Sequence, residues 1–93
     1  MDLKPMKLKD TAEMMNSADY KDRFKAEYYQ NAIRYRKLKK MVEDWDNGVL
    51  NFTPTCPRST FIMQLHAMAD YLAVLEARAK MENIEIESAF EIE

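Results

Sequence analysis

The sequence predicts an all-α fold: an antiparallel helical hairpin of two long helices with a short N-terminal helix, completed by oligomerisation. Three observations predict it. The chain holds one Gly and three Pro in 93 residues, too few turn-formers for a set of β-hairpins. Two long segments, Asp19 to Asp46 and Arg58 to Glu82, repeat apolar residues every three or four positions with no internal Gly or Pro, which is the spacing of a helix face. A chain this short buries only about 60–65% of its unfolded surface, and two helices cannot enclose both their apolar faces, so packing between copies is the expected completion.

Residues 1–18 read as an N-terminal appendage. Asp10 and Glu13 have capping-box spacing, which predicts a short helix over Thr11 to Asn16 whose Met14 and Met15 dock on a neighbour. The hairpin core spans residues 19–83. Its first helix starts at Asp19, whose carboxylate caps the free amides of the first turn, with Asp22 placed to favour the positive end of the dipole. Tyr20, Phe24, Tyr28, Asn31, Tyr35, Leu38, Val42 and Trp45 fall on one stripe. Its Tyr and Trp side chains join an apolar body to a polar tip, so they serve packing or the stacking of a planar ring. Asn47-Gly48 supplies the left-handed residue that ends the helix. At about 1.5 Å per residue it is about 40 Å long and must lie along a second helix.

That second helix follows the connector Val49 to Cys56. Pro57 suits its first position, where a missing N–H costs nothing, with Thr55 or Cys56 as the cap. Phe61, Leu65, Met68, Leu72, Leu75 and Ala79 form its apolar row, widened by Ile62, Ala69 and Ala73. Asn83 is the expected stop. Residues 84–93 are an acidic tail in which Ile84, Ile86, Phe90 and Ile92 alternate with polar residues. Such alternation predicts an extended segment or short strand that lies over a subunit surface or stays unfolded.

Composition narrows the function classes. Apolar residues at 47% and charged residues at 32% belong to a folded, soluble chain. There is no apolar run long enough to span a bilayer and no signal-peptide core in Met1 to Lys9, so the expectation is a cytoplasmic protein with no membrane association. A single cysteine, Cys56, fits a reducing compartment. His66 is equally alone and reads as a surface or packed residue rather than a metal ligand. The net charge of −2 hides a split: Asp19 to Lys40 carries eight Lys or Arg against three acids, whereas Glu82 to Glu93 carries five Glu and no base. Such a split steers anions toward the first helix.

Neither paired carboxylates, a nucleotide-binding glycine loop nor a metal-ligand cluster is visible, so no enzyme, cofactor or metal is expected. Cys56 has no base predictably beside it. Nucleic-acid binding is argued against, because the bases of the first helix are interleaved with buried-looking aromatics and the whole chain is slightly acidic. Aromatic rings beside cations suit a nucleotide-like ligand. On that reading Tyr28 and Tyr35 stack, Arg34, Lys37 and Arg58 meet phosphates, and Tyr71 with Arg78 forms the opposing wall. Gln64, Tyr71 and Arg78 stand seven residues apart, a polar line beside the apolar row in which Gln64 reads a base edge; the packing alternative makes them boundary residues around an interface. In the connector, Thr53, Thr55, Ser59 and Arg58 combine hydroxyls, a guanidinium and helix-start amides into a phosphate or carboxylate cradle, or simply cap the helix.

The run Asp19-Tyr20-Lys21-Asp22-Arg23-Phe24-Lys25-Ala26-Glu27-Tyr28, the segment Leu50-Asn51-Phe52-Thr53-Pro54-Thr55-Cys56-Pro57 and the pattern Gln64, Ala67, Met68, Tyr71, Val74, Leu75, Glu76, Arg78 resemble the small helical proteins of phages and prophages related to those of crAss-like phages. The resemblance covers about Asp19 to Ile86 and implies a phage-encoded accessory protein acting in the cytoplasm of a bacterial host. In size and hairpin outline such proteins are similar to the anti-CBASS and anti-Thoeris sponges, oligomers that sequester cyclic nucleotide immune signals without cleaving them. No functional residue is transferred by that likeness. The expectation is therefore a homo-oligomer holding a cyclic nucleotide between subunits. The alternative is a phage protein that inhibits a host or defence protein through its helical faces, as an anti-CRISPR does.

Overall fold

The structure, a computed structural model, describes residues 6–87. Its elements are α1 (Leu8–Met15), α2 (Tyr20–Asp46) and α3 (Arg58–Met81), and the described residues contain no strand. The all-helical expectation holds. α2 is the middle layer: α1 packs on it and α3 packs on it, and α1 and α3 do not meet.

α1 starts earlier than its sequence suggests. Asp10 is not the cap but the third helical residue, where its carboxylate accepts a hydrogen bond from the Lys7 N–H at 2.9 Å, so the free amide satisfied is one turn upstream. Thr11 is buried and its hydroxyl donates to the Leu8 carbonyl at 2.7 Å, which satisfies the polar group inside the contact. The corner into α2 is held by Ser17, whose hydroxyl donates to Asp22 at 2.9 Å while its carbonyl accepts from Arg23 at 2.8 Å.

α2 begins as the sequence predicts. The Asp19 carboxylate accepts from the Lys21 N–H at 2.9 Å. The helix ends where Gly48 takes φ +72° and the Val49 N–H returns to the Asp44 carbonyl at 3.0 Å. Its apolar residues split onto two faces. Phe24, Tyr28 and Ala32 join Leu72, Leu75 and Ala79 of α3 in the main core, together with Ile84. Ala26 and Ile33 are also buried, but Ala26 lies about 200° round the helix from Phe24. That is the side where α1 sits, as the Gln30 amide on the Met15 sulfur shows.

α3 starts one residue later than expected. Pro57 is its N-cap, with extended backbone (φ −61°, ψ 148°) and no capping side chain. The helix stops at Asn83, in the left-handed region at φ 56°, with the Ile84 N–H bonded to the Ala79 carbonyl at 2.9 Å. Residues 84–87 form neither helix nor strand. Ile84 is buried in the chain's own core and Ile86 packs against it, so residues 84–87 are packed on the hairpin itself. Phe90 and Ile92 lie outside the described residues.

Candidate functional site

Two helices in antiparallel contact keep step when one advances as the other retreats. Seven residues on α2, about 10.5 Å, match seven on α3 in the opposite direction. Tyr20 meets Arg78, whose guanidinium donates to the Tyr20 hydroxyl at 2.9 Å. Seven residues along, the Tyr71 hydroxyl donates to the Glu27 carboxylate. The next step places Arg34 opposite Gln64. Both are exposed, and among the described residues no hydrogen bond joins them. One edge of the hairpin is thus a polar ladder with its third rung open. Lys37 stands one turn from Arg34 on α2 as a neighbour at helical spacing, and neither Arg34 nor Lys37 has an ion-pair partner among the described residues. Arg36 points elsewhere, with its Nη1 enclosed and unbonded among the described residues.

The seven sequence-selected residues divide on this geometry. Arg34 and Lys37 are exposed and uncommitted, and Tyr71 keeps an exposed ring. Tyr28 is fully buried, with its hydroxyl on Glu76 at 2.5 Å, so its ring is core and offers no stacking face in the single chain. Tyr35 is half-buried against the same core. Arg58 donates twice to Asp46, at 2.8 Å each, and closes the mouth of the hairpin beside the Trp45–Phe61 edge contact. The connector cradle therefore has its cation already engaged. Arg78 lies 5.0 Å over the Phe24 ring and also donates to Glu82 at 3.2 Å. Arg58 and Arg78 are about 30 Å apart along α3, so one chain does not bring all seven residues together.

Protonation follows the same partners. The Tyr20 hydroxyl donates to Glu82 at 2.7 Å; this bond is the main reason the phenol is pushed above its ordinary 10.0 and the carboxyl below its ordinary 4.5. The guanidinium of Arg58, hydrogen-bonded to Asp46, holds that carboxyl below 3.8. Arg78 and Arg58 are raised in turn, chiefly by their hydrogen bonds to Glu82 and Asp46. Sequence reading missed Glu27, Asp46 and Glu82 as partners. A signal was present, since Tyr20, Glu27 and Arg34 repeat at seven residues just as Gln64, Tyr71 and Arg78 do.

A family model described as Sequestin matches residues 18–81, from the residue before the α2 cap to the last residue of α3 and so over most of the chain. The chain belongs to the Sequestin family. The Sequestin segment is the hairpin itself, and it contains the Tyr20–Arg78 and Glu27–Tyr71 rungs and the open Arg34–Gln64 position; α1 and the residues after Met81 lie outside it. Neither a curated protein nor a solved structure matches the chain. Among the described residues no group of three or more His, Cys, Asp or Glu side chains is placed to hold a metal, and no helix is long and apolar enough to cross a membrane.

Proposed function

We propose that this protein sequesters a cyclic nucleotide immune signal, holding it without cleaving it, and that it is a phage counter-defence protein acting in the bacterial cytoplasm. The observation that carries the reading is a pair of exposed cations, Arg34 and Lys37, with no ion-pair partner among the described residues. Arg34 and Lys37 present uncommitted cations at neighbouring positions, Gln64 offers both a donor and an acceptor across from them, and Tyr71 exposes a ring two turns from Gln64. A cyclic nucleotide needs cations for phosphates, an amide for a base edge and an aromatic face. The family's name, Sequestin, fits a sequestering role, and the resemblance to proteins related to those of crAss-like phages supplies the setting. In this reading Arg58, Arg78 and Tyr28 support the hairpin, and Tyr35 lines the inner side of the site.

Native mass spectrometry of the protein with cyclic di- and trinucleotides and cyclic ADP-ribose isomers tests this directly. Uptake of one compound in fixed ratio, released unchanged on denaturation, is the expected result; no uptake from the whole panel overturns it. Arg34→Ala is expected to weaken binding about 10- to 100-fold, the loss of a charge-assisted hydrogen bond, with helix content unchanged. A second reading, inhibition of a host or defence protein through a helical face, is favoured by the large apolar side chains left exposed on α3. A stable complex with one protein and no small-molecule uptake selects it.

A further inference from the structure

α3 carries two apolar rows. The inner one, Phe61, Leu65, Met68, Leu72, Leu75 and Ala79, alternates spacings of four and three and packs on α2. Shifted by two residues, about 200° round the helix, Met63, Ala67, Asp70, Val74, Ala77 and Met81 repeat the same alternation, the seam of a helix packed along another helix. Every residue of this outer row is exposed. Met63 is 70% exposed, Val74 56% and Met81 78%, values that belong to a face awaiting a partner. No part of the described chain reaches it: α1 covers the far side of α2, and the chain after α3 runs along α2, where the Glu87 N–H reaches the Tyr29 hydroxyl at 3.3 Å.

We propose that this outer seam docks antiparallel on the same seam of a second copy. Four of the six residues of the row match in reverse about position 72, Met63 with Met81 and Ala67 with Ala77, and Asp70 falls opposite Val74, so a two-fold axis there places methionine against methionine and alanine against alanine, the self-complementarity an isologous dimer requires. The paired alanines let the helices approach closely. Charge fixes the direction. A parallel pair sets Asp70 beside Asp70 of its partner in a desolvated layer, which repulsion opposes. The antiparallel pair sets Asp70 against Val74 and separates the two carboxylates by about 6 Å along the axis, so no layer holds two of them.

The arrangement completes the ligand edge, a step that rests on the sequestration reading as the seam itself does not. Tyr71 follows Asp70 by one residue, about 100° round, and a two-fold axis perpendicular to both helices carries a side chain on one flank to the same flank of the pair. Both Tyr71 rings and both open Arg34–Gln64 positions therefore share one face, with the rings next to the axis. The second copy supplies the second aromatic wall that a single hairpin lacks.

Disulfide trapping tests the seam without any ligand. In a Cys56→Ser background, Met63→Cys and Met81→Cys chains are mixed under mild oxidation. The antiparallel seam predicts a linked species of twice the 11.0 kDa chain mass in the mixture and none from either variant alone, because like positions stand about 27 Å apart. Self-linking of Met63→Cys, or unlinked single chains throughout, overturns the proposal. Val74→Glu, on an exposed position, is expected to weaken dimerisation about 100-fold or more while helix content by circular dichroism stays the same; an unchanged dimer also overturns it. Tyr71→Ala separates the two layers of the argument. If the seam links normally and uptake of the cyclic nucleotide panel is unaltered, the shared ligand face is wrong and the seam stands.

Discussion

α2 and α3 are both long helices and α3 is the more apolar of the two, yet the fold covers α3 less. α2 is covered on two sides, by α1 and by α3, whereas α3 is covered on one. As a result Ala26 of α2 is 0% exposed while Met63 of α3 is 70% exposed, the reverse of what side-chain hydrophobicity alone would assign. Burial here is decided by which neighbours the fold supplies. The uncovered side of α3 is the one proposed above to meet a second copy.

That contrast can be broken by substitution. Leu72→Ala, on the covered side of α3, is expected to have the largest effect, about 2–5 kcal/mol in chemical unfolding, because a fully buried leucine is lost and the packed layer cannot fully close. Ile33→Ala, under α1, is expected to cost about 2 kcal/mol, at the low end for such truncations, since a short helix forms a thinner cover. Equal costs at Leu72 and Ile33 would mean that α1 is as integral to the core as α3. Tyr28→Phe removes the hydroxyl donor to Glu76 and is expected to cost about 1 kcal/mol. Val74→Ala, measured in dilute single chains, is expected to stay within about 0.5 kcal/mol of wild type. A larger loss there would show that the outer side of α3 is already packed within one chain.

The two ends of the hairpin differ in their response to pH. At the Asp46–Arg58 end, the lowered carboxyl contributes stability that is complete above 3.8 and is lost as pH falls through the depressed value. The Tyr20–Glu82–Arg78 end loses its carboxylate contribution in the same way below 4.5. It has a second limit, because the raised Tyr20 phenol contributes fully below 10.0 and its share is lost as pH climbs through the raised value. Aromatic carbon shifts of Trp45 and Tyr20 by NMR are expected to move at both ends in acid and only at the Tyr20 end in alkali. Both pairs are exposed to solvent, so these are the smallest effects of the set.

Local chemistry made much of the fold legible. Asp19 before an apolar repeat, Gly48 after it, and Asn83 at the end of the second repeat placed both long helices because caps act on backbone groups within a turn of themselves. α1 was less legible: Asp10 is equally able to cap as an N-terminal residue or to reach back from the third position, and in the structure it reaches back to the Lys7 N–H, with Thr11 buried inside the helix. Of the ligand-site residues, Arg34, Lys37 and Tyr71 stand where a ligand can reach them. Tyr28 is buried on Glu76 and Arg58 is engaged by Asp46, contacts that spacing does not foresee because it reports which helix face a residue shares and not which residue of another helix stands opposite.

By itself the sequence determined the two long helices, the cap of the first, the stops of both, their apolar rows and the concentration of positive charge on the first, all of them consequences of interactions spanning about one helical turn. Only the tertiary structure decided the register, in which Tyr20 meets Arg78 and Glu27 meets Tyr71 while Arg34 stays exposed. It alone decided that α1 takes the far side of α2 and leaves the outer row of α3 open. The physical reason is that contacts between residues 44 to 62 positions apart depend on how whole helices interdigitate, and periodicity along one chain segment is the same for every register it could adopt.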